Sequence, residues 1–152
     1  MIMSTTEISF DEMLRTHGYI IYTCRGTSMM PLLRQRKDIV EIRPLTERAH
    51  KYDVVLYKRG DMYILHRVLK VLPDGYIIAG DHCVQVETDI KDEDILGVMT
   101  RVVRNGRSIT PDHFFYKFYV HLWCDCYPVR MLILKIRQRI RKILNRKKRR
   151  ET

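Results

Sequence analysis

Between Tyr19 and Arg104 the chain is a succession of short β-branched and aromatic runs, each cut off by a turn signal before it could make a helix. Tyr19–Cys24, Asp38–Ile42, Asp53–Tyr57, Met62–Val71, Tyr76–Ala79 and Ile95–Arg104 read as strands. Arg59-Gly60-Asp61, Pro73-Asp74-Gly75 and Asn105-Gly106 read as the turns between strands. Strands this short and this closely spaced exclude a helical bundle. They predict a mainly β fold, a barrel-like or coiled sheet. Ahead of them, Ser9 and Glu12 stand at capping-box spacing, which predicts a short helix from Phe10 to about Thr16, ended by Gly18.

After Ile109 the pattern changes. Thr110-Pro111-Asp112 offers an N-cap, a proline at the first helical position and an acid in the first turn. Phe114 to Trp123 then contains six aromatic residues. Beyond Pro128, residues Val129, Leu132, Ile133, Ile136, Ile140, Ile143 and Leu144 recur at helical spacing with Arg and Lys between them, a basic amphipathic helix. The formal net charge of +10 is located entirely here: Pro128–Thr152 holds 11 Lys and Arg against the single acid Glu151, and the rest is balanced, 17 against 17. Two readings of the tail stay open. It lies in the interface of an anionic membrane through residues 128–150, or its apolar stripe packs on the β domain and only Arg146–Arg150 is solvated. Nucleic acid is disfavoured as a partner, because the tail has charge but no module for reading bases.

With 152 residues, 45% hydrophobic and 30% charged, the chain is expected to be globular: a β domain over 1–109 and a helical tail over 110–152. No stretch reaches the roughly 18 apolar residues of a spanning helix, and no secretory signal is evident at the N-terminus. The expected location is therefore peripheral on a membrane or cytoplasmic. Cys24, Cys83, Cys124 and Cys126 include no C-x-x-C pair, and read as reduced structural thiols rather than metal ligands. No cofactor or metal is expected.

Ser28, in Gly26-Thr27-Ser28-Met29-Met30-Pro31, and His66, in His66-Arg67-Val68, each stand at the edge of a strand-like run. A serine needs a neighbouring base and donors for a developing oxyanion, and a histidine has the intrinsic pKa to be that base. Gly80-Asp81 follows a strand and offers a carboxylate for the histidine.

These segments, with Asp38-Ile39-Val40 and Asp53-Val54-Val55, follow one another as the sequence boxes do in the signal peptidase I and SOS-repressor superfamily of serine peptidases, which the region from about 20 to 100 resembles. The resemblance implies a coiled β-sheet domain with Ser28 as nucleophile and with Gly26, Thr27 and Met29 forming its box. His66, where many members have lysine, is similar to the endoplasmic-reticulum and archaeal branch. That branch also uses an aspartate at or after the Gly-Asp box; here Asp81 is the expected third residue, with Glu87 and Asp89 as alternatives. Gly26 stands where many signal peptidases place a hydroxyl, so an oxyanion would rest on backbone N–H groups. None of the 27 residues before Ser28 form a span, so a compact stand-alone member is expected. The resemblance implies a serine endopeptidase acting on an extended polypeptide with small residues before the scissile bond. The competing expectation is an inactive relative that binds such a peptide and uses its tail on a membrane.

Overall fold

The computed structural model describes residues 9–150, with side chains as far as Ile140 apart from those of Tyr127 and Gln138. Ser9 Oγ accepts from the Glu12 N–H at 3.2 Å and starts helix α1 (Phe10–His17). Its Leu14 side chain is buried in the core.

Eight strands follow: β1 (Ile20–Thr23), β2 (Ile39–Arg43), β3 (Val54–Arg59), β4 (Met62–Leu72), β5 (Gly75–Ala79), β6 (Glu87–Ile90), β7 (Ile95–Arg104) and β8 (Arg107–Ile109). They form one antiparallel sheet in the order β1-β2-β7-β3-β4-β5-β6, with β8 paired to β7. The mainly β expectation holds, and the expected strands match observed ones to within a residue or two. Two strands were not expected. β6 is too polar to read as a strand, and β8 is only three residues long.

The strand β3 shows how one sheet serves two cores. Val54 and Leu56 enter one core with Leu14, Met29, Val40 and Met99, while Val55 and Tyr57 enter a second with Val68, Tyr76 and Ile78. Successive side chains point to opposite faces, so a strand buried on both faces must be apolar throughout. The ladders shift register at Glu41/Ile42, Leu56/Tyr57, Val68/Lys70 and Tyr76/Ile78, the kind of irregularity that locally bends and twists a strand.

Helix α2 (Phe114–Asp125) is followed by α3 (Tyr127–Arg150). The Thr110-Pro111 start is corrected: the His113 N–H bonds Thr110 O at 3.1 Å, so these residues form a turn and α2 begins at Phe114. Tyr116 and Val120 of α2 belong to the first core. Leu134 of α3 is buried, whereas Val129, Leu132, Ile136 and Ile140 are exposed. Ile143, Leu144 and the solvated run expected over Arg146–Arg150 lie outside the described side chains. Among the described residues no helix is long and apolar enough to cross a membrane.

Asp38 locks the segment between β1 and β2. It accepts from the Arg34 N–H and guanidinium and from Arg104 on β7. Burial opposes its charge, but these hydrogen bonds win and bring its pKa down to about 2. A depressed carboxyl stabilises the fold above its unfolded pKa and ceases to do so as pH falls through the folded one. Unfolding by urea between pH 5 and 2 should therefore show a loss of about 2 kcal/mol from this group. Asp38→Asn should lower stability at pH 7 and flatten that part of the profile.

Candidate functional site

Strand β1 delivers the chain to a tight loop at Gly26, whose φ of 92° favours glycine. The loop closes through Met30 N–H to Thr27 O at 3.2 Å and Leu33 N–H to Met29 O at 2.8 Å. Met29 is buried and pins the loop to the first core, Thr27 is exposed, and Ser28 between them is half-buried. The backbone N–H groups of Ser28 and Met29 make no hydrogen bond among the described residues. Ser28 borders a cavity of about 240 Å³ lined by Phe10, Tyr22, Leu33, Tyr63 and Leu65.

A second loop, Gly80 to Cys83, meets the first. The His82 N–H donates to Ser28 O at 2.7 Å. A Cβ on Gly80 would stand 2.6 Å from Ser28 O, 2.8 Å from Cys83 Sγ and 3.0 Å from His66 Nε2. Only glycine fits, and the Ser28 carbonyl oxygen and His66 Nε2 are no farther apart than the sum of their two distances. Ser28 and His66 reach this point from different sides: Met29 anchors one in the first core, and Tyr57 holds the other beside the second. No hydrogen bond joins Ser28 Oγ to His66. His66 borders a separate open groove with His82, Cys83 and Glu87.

The histidine is held by its other nitrogen. Nδ1 lies 3.2 Å from Glu87 Oε1 and 3.1 Å from the Tyr57 hydroxyl, which itself donates to Glu87 Oε1 at 2.7 Å. The second Glu87 oxygen accepts from Arg59 Nη1 at 2.7 Å, and Arg59 also reaches Asp89. A carboxylate at Nδ1 puts the proton there and leaves the lone pair on Nε2, toward Gly80. Burial pulls the His66 pKa below its ordinary value and outweighs the opposing field of Glu87, so the imidazole is neutral near pH 7. Burial and the neighbouring Glu87 push the Tyr57 phenol up, so it remains a donor.

Asp81 is elsewhere. It was the expected third residue, but its two oxygens accept from Arg67 Nε and Nη2, each at 2.8 Å, and both side chains are 0% exposed. Tyr119 adds a hydrogen bond to Asp81 at 2.9 Å. The physical reason is the pleat: His66 and Arg67 are consecutive on β4 and point to opposite faces. The carboxylate beside Arg67 therefore cannot also orient His66. Of the three carboxylates left open by the sequence, Glu87 is the one bonded to His66. Asp89 is bonded to Arg59.

The helices complete the site. Trp123 Nε1 donates to Asp81 O at 2.8 Å, and Arg67 Nη1 to the Tyr116 hydroxyl at 3.1 Å. Arg130, a buried cation on α3, donates through Nη2 to Gly80 O at 2.8 Å and Cys83 O at 2.9 Å. Sequence reasoning missed Tyr57, Arg59 and Arg130. Tyr57 had a signal, because the hairpin register pairs it with Ile64, diagonal to His66 on the same face. Arg130 had none among so many basic neighbours.

Two strand edges frame this region. Among the described residues β1 is the terminal strand of the sheet, and Met62–His66 of β4 pair only with β3 because β5 begins its pairing at Arg67. Tyr22 from the first edge and Tyr63 and Leu65 from the second border the cavity beside Ser28. Among the described residues no group of three or more His, Cys, Asp or Glu is placed to hold a metal ion. The chain matches no protein-family model, no curated protein and no solved structure.

The different positions of the two acids predict different phenotypes. Asp81→Ala leaves Arg67 charged and buried, and should destabilise the fold by about 3–5 kcal/mol in urea unfolding. Glu87→Gln keeps a hydrogen-bonding group at His66 in a more exposed place, and should cost less than about 1.5 kcal/mol.

Proposed function

We propose that the protein is a serine endopeptidase in which Ser28 is the nucleophile, His66 the general base and Glu87 the residue that orients His66. The observation that supports this best is the state of His66: bonded at Nδ1 to Glu87, neutral, and with Nε2 directed to the Gly80 position beside Ser28. The ordered boxes that resemble the signal peptidase and SOS-repressor superfamily support the same reading, and the mainly antiparallel β sheet is compatible with it.

In the first half-reaction Nε2 takes the Ser28 proton as Oγ forms a bond to the peptide carbonyl carbon. The oxyanion is met by the free N–H groups of Ser28 and Met29. His66 then gives the proton to the leaving nitrogen as the C–N bond breaks. Water, deprotonated by His66, attacks the acyl-enzyme and releases the acid product and Ser28. Catalytic hydrogen bonds commonly tighten only once substrate is bound, so the proposal requires Ser28 Oγ and His66 Nε2 to approach one another in the complex. Cys83 is a poorer nucleophile here, because burial raises its pKa and keeps the thiol protonated.

The substrate is an extended polypeptide that adds a strand between the free edges of β1 and β4 and places a side chain in the cavity beside Ser28. That cavity, about 240 Å³ and lined by aromatic and aliphatic side chains together with Arg25, is larger than a methyl group needs, so the preference extends beyond the small residues implied by the resemblance. The enzyme works at a membrane surface or in the cytoplasm. The second reading, a peptide binder without turnover, is favoured by one observation: Ser28 and His66 border separate cavities.

Turnover of a secretory-type peptide, followed by mass spectrometry, separates the two. Ser28→Ala and His66→Ala should each lower kcat by a factor on the order of 10³ or more, and Glu87→Gln by roughly 10² to 10⁴. Equal turnover by wild type and both alanine variants would sink the dyad, and no turnover by any of them would favour the binder. Because His66 titrates below its ordinary pKa of about 6.5, the acid limb of kcat/KM should lie below that pH. Glu87→Gln removes a field that favours the imidazolium and should move the limb to still lower pH.

A further inference from the structure

Helix α2 is apolar on two opposite sides. Tyr116, Val120 and Trp123 are buried, while Phe114, Phe115, Phe118 and Leu122 are between 49% and 73% exposed on the opposite side. A helix that is apolar all round is normally buried all round. On α3, Val129, Leu132, Ile136 and Ile140 form one stripe at helical spacing and are between 46% and 60% exposed, so the stripe does not pack on the sheet. At 3.6 residues per turn the exposed Arg137 flanks this stripe on one side, and Lys135 and Arg139 on the other.

We propose that α2 and α3 form a docking surface for an anionic lipid bilayer. An apolar stripe with cations along both borders suits a helix lying in the headgroup region, where the stripe enters the acyl boundary and the cations meet phosphates and carboxylates. The charge agrees in place as well as in sign: residues 128–152 have 11 Lys and Arg and one acid, and the rest of the chain is neutral. A second copy fits less well, because two such stripes would bring their flanking cations together. A nucleic acid would use the cations but leave eight large apolar side chains in water. The surface is also coupled to the site. Arg130, on the same helix as the stripe, holds the carbonyls of Gly80 and Cys83, so a docked α3 sets the height of the Gly80 loop above the bilayer.

The test is flotation of the full chain with phosphatidylcholine vesicles, with and without phosphatidylserine, in parallel with gel-shift on duplex DNA. Wild type should float with the serine-lipid vesicles at least tenfold more than with phosphatidylcholine alone. Leu132→Glu/Ile136→Glu and, separately, Phe114→Ser/Phe118→Ser should each reduce that fraction at least fivefold with unchanged far-ultraviolet circular dichroism, since all four residues are exposed. Wild type that stays at the bottom with both vesicles would overturn the proposal. So would variants that float like wild type, or wild type that shifts DNA but binds no vesicle.

Discussion

The structure around the site hangs on the Arg67–Asp81 ion pair. Two fully buried charges are costly to desolvate, and such a pair is held only by good geometry and further hydrogen bonds. Here Arg67 makes two bonds to Asp81 and others to Tyr52 O and Tyr116, while Tyr119 and Trp123 close on Asp81. The pair therefore fastens β4, the Gly80 loop and α2 at one point. It contributes less as net stability than as registry: with Arg67 committed to one face of β4, His66 must face the other.

From that commitment the rest of the site follows. His66 meets Tyr57 and Glu87, and its Nε2 is left toward Gly80. Asp81 brings Gly80 into the same corner, where the absence of a side chain allows Ser28, Cys83 and His66 to converge. Arg130 then ties the corner to α3. A chain that is balanced in charge over its body and basic in its tail thus joins its candidate site to the helix that presents its apolar stripe.

Much of this fold was legible because the turns are chemically explicit. Gly60, Gly75 and Asn105-Gly106 punctuate runs whose side chains alternate between two cores, and the strands fell where expected. β6 was not legible, since Glu87-Thr88-Asp89 has no apolar face and is a strand only because β5 pairs with it. The same polarity hid Glu87 as the partner of His66, 21 residues earlier in the chain. Asp81 was legible as important: its place in a Gly-Asp box beside a strand suits a catalytic acid, whereas its pairing with Arg67 depends on a contact that only folding creates. The two apolar sides of α2 could not be told apart either, because periodicity marks a face as apolar and is silent on whether anything covers it.

In the proposed reaction Ser28 Oγ is the nucleophile that receives the acyl group, at a corner where Cys83 Sγ also approaches the Gly80 position. Incubation with a p-nitrophenyl ester of a short peptide, followed by intact-mass analysis and peptide mapping, tests this most directly. Release of p-nitrophenolate and one acyl group mapped to Ser28 are expected, absent in Ser28→Ala and slowed in His66→Ala. An acyl group on Cys83, or none on the protein, would contradict it.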